Sequence, residues 1–75
     1  MNQKRILKIG MSGDDVKYIQ KSLKSLGFHK GKTSGNFGQD TLMAIGNFQR
    51  KYNIKSDGVI SIQTWSKIQE KLNFK

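Results

Sequence analysis

GNFGQDTLMAI stands at residues 35–45, and GVISIQTWSKI follows 23 positions later at residues 58–68. In both copies an apolar residue stands two positions after the glycine, and a threonine stands six positions after it. Glycine permits a tight turn, and the residues that follow have the spacing of an amphipathic helix. The chain therefore contains one loop-to-helix unit twice, and we expect the other residues to pack around the two copies.

Apolar residues recur at steps of three and four in three segments, which predicts helices at about 14–26, 39–52 and 62–72. No segment alternates between apolar and polar residues as a half-buried strand does. The predicted fold class is all-α, a compact three-helix bundle with two similar loop-to-helix units. Each helix has one apolar stripe, so each needs the other two helices to bury it.

The helix ends and one helix interior carry further signals. Ser12 and Asp15 have the spacing of a capping box at the start of the first helix, and Gly27 suits its C-terminal cap. Gly46 lies inside the second helical pattern, where glycine costs about 1 kcal/mol relative to alanine. Its place there either allows a close approach or is simply tolerated.

The length of 75 residues allows one small domain. We expect this domain to span 1–75, with its core at about 7–72 and with frayed ends at 1–5 and 73–75 unless Phe74 docks. No apolar run approaches the roughly 20 residues that a membrane span needs, and no signal-peptide core is present. A domain of this kind that works outside the cell would be cut from a longer protein or exported without a Sec signal.

The net charge is +9, from 14 basic and 5 acidic residues. Such an excess favours anionic partners, among them nucleic acids, anionic wall polymers and acidic membranes, and charge alone does not choose between them. Lysine outnumbers arginine twelve to two. Because arginine is the residue that base and phosphate recognition usually uses, this composition argues mildly against nucleic acid.

Residues that enzymes use are scarce. The absence of cysteine excludes disulfides, thiolate metal sites and a cysteine nucleophile. His29 is the one histidine, and its place in a lysine-rich loop predicts a surface position. Asp14 and Asp15 belong to a helix start and Asp57 to a turn, so no pair of carboxylates is placed for acid–base chemistry. We therefore expect no catalysis, no metal and no cofactor.

The aromatic residues divide into core and surface candidates. Trp65 and Phe48 stand at core positions of their helical patterns. Tyr18 stands well off the apolar stripe of its helix, so we expect it to be largely exposed. An exposed tyrosine offers an apolar ring and a hydroxyl group, which suit sugar or peptide ligands.

A series of short motifs runs in order along the chain. It comprises Leu7-Lys8-Ile9-Gly10-Met11-Ser12-Gly13-Asp14-Asp15-Val16, Ile19-Gln20, Leu26-Gly27-Phe28, Gly35-Asn36-Phe37-Gly38, Phe48-Gln49, Asp57-Gly58-Val59-Ile60 and Thr64-Trp65. In this order and spacing the motifs resemble the peptidoglycan-binding-domain-1 family, the small three-helix modules of bacterial and phage wall hydrolases. The resemblance covers about Leu7 to Ile68. The chain departs from the family at Ser34, Gln39 and Ser61, where aspartate, proline and glycine are usual.

The resemblance implies a non-catalytic module that targets an attached hydrolase, such as an endolysin or an amidase, to peptidoglycan. It also implies an extracellular, cell-wall location, reached by export within a larger protein or by release on phage lysis. We expect the stem peptide or the glycan to bind in a shallow groove beside the first Gly-Asn-Phe-Gly loop. The predicted contacts are Tyr18, Asn36, Gln39, Asp40, Thr41 and Arg50, with Asp40 pairing an amine of the stem peptide and Arg50 a carboxylate.

Anionic wall polymers are a second expected partner, and we expect the chain to be a monomer. The alternative hypothesis is a small basic nucleic-acid-binding domain or a structural spacer.

Overall fold

A computed structural model describes residues 5–73. Helix α1 spans Asp14–Ser25, α2 spans Gln39–Lys51 and α3 spans Ile62–Asn73. Each predicted helix boundary lies within one residue of the observed one. Within residues 5–73 the only β-type pairing consists of two isolated bridges, so the predicted all-α fold class is confirmed. The ends predicted to fray were 1–5 and 73–75. Of these the structure describes only Arg5 and Asn73, and residues 1–4 and 74–75, with the docking of Phe74, lie outside the described residues.

Two loops connect the helices, and the second residue of each loop has a positive φ angle. The first loop, residues 26–38, turns at Gly27 with φ of +91°. The second loop, residues 52–61, turns at Asn53 with φ of +59°. Asparagine tolerates this conformation better than most residues because its short polar side chain can form a local hydrogen bond. The prediction that Gly27 ends α1 is confirmed.

An N-terminal arm, residues 5–13, joins the two loops. Leu7 pairs with Ile60 of the second loop through two backbone hydrogen bonds of 3.1 and 2.8 Å. The carbonyl of Met11 accepts a hydrogen bond from the N–H of Phe37 in the first loop at 2.8 Å. The arm therefore lies against both loop-to-helix units and connects parts of the chain that are far apart in sequence.

The core is one cluster of apolar side chains from the arm, both loops and all three helices. Its fully or nearly buried members are Leu7, Val16, Ile19, Leu23, Phe37, Ala44, Ile45, Phe48, Ile54, Ile60, Trp65 and Ile68. The burial predicted for Trp65 and Phe48 is confirmed. Phe37 and Ile60, the apolar residues two positions after each turn glycine, fill equivalent places in the two units.

The capping box predicted from Ser12 and Asp15 is wrong. The residue before α1 is Gly13, and no side chain caps it. The Asp15 carboxylate instead accepts two hydrogen bonds from the Arg5 guanidinium, from Nε at 2.7 Å and from Nη2 at 3.0 Å. The same Nη2 donates to the Ser12 carbonyl at 2.9 Å. The hydrogen bond with Arg5 holds the pKa of Asp15 below its ordinary value.

The surface position predicted for His29 is also wrong, since its exposed fraction is only 2%. The backbone N–H groups of Phe28 and His29 both return to the Leu23 carbonyl, at 2.8 and 3.2 Å. The first loop therefore folds back over the end of α1 and covers the imidazole ring. The ring Nε2 lies 3.1 Å from the Lys32 carbonyl oxygen. The polar neighbours of His29 in sequence gave no sign of this fold-back.

Candidate functional site

A buried glutamine in α1 holds the first glycine turn. The Oε1 of Gln20 accepts a hydrogen bond from the N–H of Gly35 at 2.8 Å. Its Nε2 donates to the Asn36 carbonyl at 2.8 Å and to the Thr41 hydroxyl at 2.9 Å. Gln20 is only 1% exposed, so its amide is satisfied entirely by the loop and the start of α2. We call this group the first clamp.

A second glutamine repeats the arrangement in α2. The Oε1 of Gln49 accepts the N–H of Gly58 at 3.0 Å, and its Nε2 donates to the Val59 carbonyl at 2.9 Å and the Thr64 hydroxyl at 3.2 Å. The same Nε2 lies 3.3 Å from an Asp57 carboxylate oxygen. We call this group the second clamp. The repeat recognised in the sequence therefore extends back into the preceding helix of each unit. That helix contributes a buried glutamine, Gln20 in the first unit and Gln49 in the second.

The predicted contacts of the first loop fall into two groups. Asn36, Gln39 and Asp40 are exposed and lie around the start of α2. Asp40 also accepts the backbone N–H of Thr41 at 2.8 Å. Thr41 is fully buried, and its hydroxyl group accepts the hydrogen bond from Gln20 in the first clamp. Because Thr41 is buried and hydrogen-bonded inside the protein, its side chain is not exposed to a ligand.

Tyr18 is exposed as expected, with 42% of its surface accessible. Its ring stacks on Trp65 of α3, with 6.1 Å between the ring centroids and 13° between their planes. Its hydroxyl oxygen accepts a hydrogen bond from Gln69 at 2.7 Å. One face of the ring is therefore covered by α3, and the tyrosine ring lies between α1 and α3.

A groove of about 290 Å³ lies between α2 and the second loop. The α2 side of this groove is formed by Leu42, Met43, Gly46, Asn47 and Arg50. The predicted groove was placed beside the first loop, and Arg50 is the one predicted contact that lines this groove.

The loop side of the groove consists of Ser56, Asp57 and Gly58. The Ser56 hydroxyl donates to the Gly46 carbonyl at 3.2 Å. The Asp57 carboxylate accepts the N–H of Val59 at 3.0 Å and so stabilises its own turn. One sequence signal pointed to this place: a glycine in the middle of a helix, which is unfavourable unless a small side chain is needed.

The charges are distributed unevenly along the chain. Residues 16–39 contain five lysines and no acidic residue. They are Lys17, Lys21 and Lys24 on α1 and Lys30 and Lys32 on the first loop, and all five are exposed. None of the five forms an ion pair with another residue in the described part of the chain. We call these five lysines the basic face.

Residues 5–73 contain neither a group of metal ligands nor a membrane-spanning helix. No three His, Asp or Glu side chains in this range lie close enough together to hold a metal ion. None of the helices there has both the length and the apolar character needed to cross a bilayer.

The fold and the groove define a small helical binding domain, and the comparisons give its family. The family of putative peptidoglycan binding domains matches residues 12–68. The spore cortex-lytic enzyme of Bacillus cereus strain ATCC 14579 is 40% identical over 60 residues, which is 80% of this chain and 23% of that protein. The chain spans about a fifth to a quarter of the length of the spore cortex-lytic enzymes it matches.

Solved structures agree with this assignment. The crystal structure of the SleB N-terminal domain matches with a TM-score of 0.90 and 35% identity, over 92% of this chain and 94% of that one. A fused Zn-dependent amidase/peptidase/peptidoglycan-binding domain-containing protein from Clostridium acetobutylicum matches with a TM-score of 0.82 and 39% identity, over 88% of this chain and 29% of that one.

The chain therefore belongs to the putative peptidoglycan binding domain family. The predicted resemblance is confirmed, and these matches support a wall-binding module rather than the nucleic-acid alternative.

Proposed function

We propose that this chain is a non-catalytic module that binds peptidoglycan and holds an attached hydrolase on the bacterial cell wall. The observation that carries the proposal is the family match, which takes in all three helices up to Ile68 and both clamps. Relatives named as spore cortex-lytic enzymes and as a probable N-acetylmuramoyl-L-alanine amidase share with this chain only 17–23% of their own length. In this proposal the lytic chemistry of those relatives lies in the part of their chains that this chain does not cover.

Anionic wall polymers are proposed as an auxiliary partner. The five lysines of the basic face have no acidic residue among them in sequence, and they form no ion pairs with described residues. Free lysine ammonium groups on one helix and its neighbouring loop attract polyanions and raise the rate of encounter. This attraction is screened by salt, so it adds to a specific contact and does not replace one.

The test is co-sedimentation of the 75-residue chain with purified sacculi from which teichoic acids have been removed. We expect sedimentation at about 50 mM salt and, more weakly, at about 500 mM salt, because the peptidoglycan contact outlasts charge screening. Failure to sediment with these sacculi at low salt would disprove the proposed function.

A pair of variants separates the specific contact from the electrostatic one. Lys17, Lys21 and Lys24 are changed together to glutamine, and the matched control changes Lys8, Lys51 and Lys55 in the same way. Both variants lose the same charge. The first is expected to reduce sedimentation with polymer-containing walls more than the control does, and to leave binding to polymer-free sacculi unchanged. Equal losses on the two kinds of wall would contradict a role for the basic face.

A further inference from the structure

We propose that the groove between α2 and the second loop binds a short peptide that carries a carboxylate beside small alkyl side chains, and that Gly46 opens this groove. The inference rests on the proposed function and narrows it: within peptidoglycan, the part recognised here is the stem peptide and not the glycan.

The two clamps show why the groove lies where it does. The residue three positions before the clamp glutamine is Lys17 in the first unit and Gly46 in the second. In the first unit a Cβ atom on Gly35 would lie 3.7 Å from the Cβ of Lys17, so the lysine side chain rises beside the glycine turn. In the second unit the equivalent helix position has no side chain. A Cβ on Gly46 would meet only the Ser56 hydroxyl, at 3.9 Å.

The absence of that side chain leaves the groove open to a ligand. Leu42 fills the space beside Gly58, since a Cβ atom on Gly58 would lie 2.4 Å from Leu42 Cδ1. The second turn is therefore packed against α2. The groove thus has a fixed apolar floor at Leu42 and an open middle at Gly46. Met43 extends the apolar surface and is 63% exposed, so it is available for contact with an alkyl group.

The charges around the groove select the ligand further. Arg50 is exposed at its edge, and its guanidinium donates to the Asn47 side-chain oxygen, which orients the group. The Asp57 carboxylate is engaged by Gln49 and Val59 within the second clamp. Arg50 is the one basic residue that lines the groove, and a guanidinium pairs best with a carboxylate.

The groove suits a sugar ring less well than it suits a peptide. Carbohydrate rings are commonly held by an exposed aromatic face, and no aromatic residue lines this groove. The exposed aromatic ring of Tyr18 lies elsewhere, stacked on Trp65. An apolar floor with an arginine at its edge matches alanine-type side chains next to a free carboxylate, which is the chemistry of a stem peptide.

The experiment is an NMR titration of the 75-residue chain with three probes. These are the pentapeptide L-Ala-γ-D-Glu-L-Lys-D-Ala-D-Ala, the same peptide with its carboxylates amidated, and an N-acetylglucosamine oligomer. We expect the free pentapeptide to shift the amides of Gly46, Asn47, Arg50 and Gly58. The amidated peptide should bind about tenfold more weakly or worse, because it cannot pair with Arg50.

Two variants test the roles of the named residues. Gly46→Lys places in the second unit the residue that the first unit has, and its matched control, Ser66→Lys, adds the same charge at an exposed position of α3. Arg50→Gln is compared with Lys51→Gln. We expect Gly46→Lys and Arg50→Gln each to weaken pentapeptide binding at least about tenfold, and both controls to bind as the unchanged chain does. Thermal melting checks that Gly46→Lys is folded, and Arg50→Gln tests the site independently if it is not.

The outcomes separate this inference from the proposed function. Shifts confined to Asn36, Gln39 and Asp40, or binding unaffected by Gly46→Lys and Arg50→Gln, overturn the groove as the peptide site. If the chain still sediments with polymer-free sacculi in that case, the proposed function stands and only the groove fails. If groove shifts come from the N-acetylglucosamine oligomer instead, the ligand class is wrong.

Discussion

Gln49 satisfies three buried backbone and side-chain groups with one amide, so its removal tests the clamp directly. Gln49→Ala leaves the Gly58 N–H and the Val59 carbonyl without their side-chain partner, at a position with no solvent exposure. Each buried polar group left unpaired costs about 1–3 kcal/mol, so we expect the free energy of unfolding to fall by about 3 kcal/mol. Urea denaturation measures it, with Gln63→Ala on the exposed side of α3 as the control. Equal midpoints for the two variants would show that the clamp adds nothing.

The contact between Arg5 and Asp15 predicts a dependence of stability on pH. The hydrogen bond with Arg5, and to a smaller extent the backbone hydrogen bond from Val16 and the charge of Arg5, lower the pKa of Asp15 from its ordinary value of 3.8. The folded state therefore binds the Asp15 proton less readily than the unfolded state does. The resulting stabilisation is fully present above pH 3.8 and is lost as the pH falls through the lowered pKa of the folded state.

Melting temperatures between pH 6 and pH 2 test this dependence. Asp15→Asn should remove part of the acid-induced loss, whereas Asp14→Asn changes a neighbouring acidic residue that is exposed. The effect should be small, because the Arg5 and Asp15 side chains are 49% and 27% exposed and water screens the pair. Identical pH profiles for Asp15→Asn and the unchanged chain would contradict the assignment.

At the level of the helices, two glycines near the groove should respond in opposite ways to the same substitution. Gly46→Ala adds a methyl group that meets only the Ser56 hydroxyl at 3.9 Å, and it relieves the conformational cost of glycine inside α2. We expect a gain of about 1 kcal/mol, which raises the melting temperature of a domain this small by about 4–8 °C. Calorimetry measures the shift.

Gly58→Ala is the contrasting change. Gly58 has φ of +73°, and an added Cβ would lie 2.4 Å from Leu42 Cδ1, so alanine there is both strained and crowded. Its melting temperature should fall. A fall with Gly46→Ala as well would mean that α2 needs the glycine for its own geometry, and not only for the groove.

The helices were predictable from the sequence because their signals are local. Apolar spacing located α1, α2 and α3 to within one residue, and Gly27 marked the end of α1. The capping box predicted for α1 is wrong because the partner of Asp15 is Arg5, an arm residue ten positions away, whereas local spacing suggested Ser12. The burial of His29 was missed for the same reason, since the return of the first loop to Leu23 is not visible in the neighbouring residues.

The candidate site was less predictable because it depends on contacts between elements. Exposed polar residues beside the first repeated turn were the natural prediction, yet the groove lies at the second turn. The difference between the units comes from Lys17 and Gly46, which become equivalent only when the two clamp glutamines are aligned. Arg50 lines this groove, and its charge and exposure could be inferred from its helical position alone.

At the scale of the whole molecule, the N-terminal arm makes the two units depend on each other. Leu7 is fully buried and forms backbone hydrogen bonds with Ile60, while Gly10 and Met11 of the arm form backbone hydrogen bonds with Phe37. The indole Nε1 of Trp65 also donates to the Arg5 carbonyl at 3.1 Å. A single arm residue should therefore influence both loops, although it touches only one of them through its backbone.

Leu7→Ala is the change that tests this coupling. Loss of a fully buried leucine side chain costs about 2–5 kcal/mol, which is a large part of the roughly 4–11 kcal/mol that a domain of this length has in total. Ile6→Ala and Ile9→Ala are matched controls, because these neighbours are 57% and 47% exposed and their truncation should cost little.

Amide hydrogen exchange distinguishes cooperative from local loosening in the Leu7→Ala variant. We expect Leu7→Ala to speed exchange at Ile60 and also at Gly35 and Phe37 of the first loop, since the arm stabilises both units together. Faster exchange confined to the second loop would show instead that the two units unfold independently.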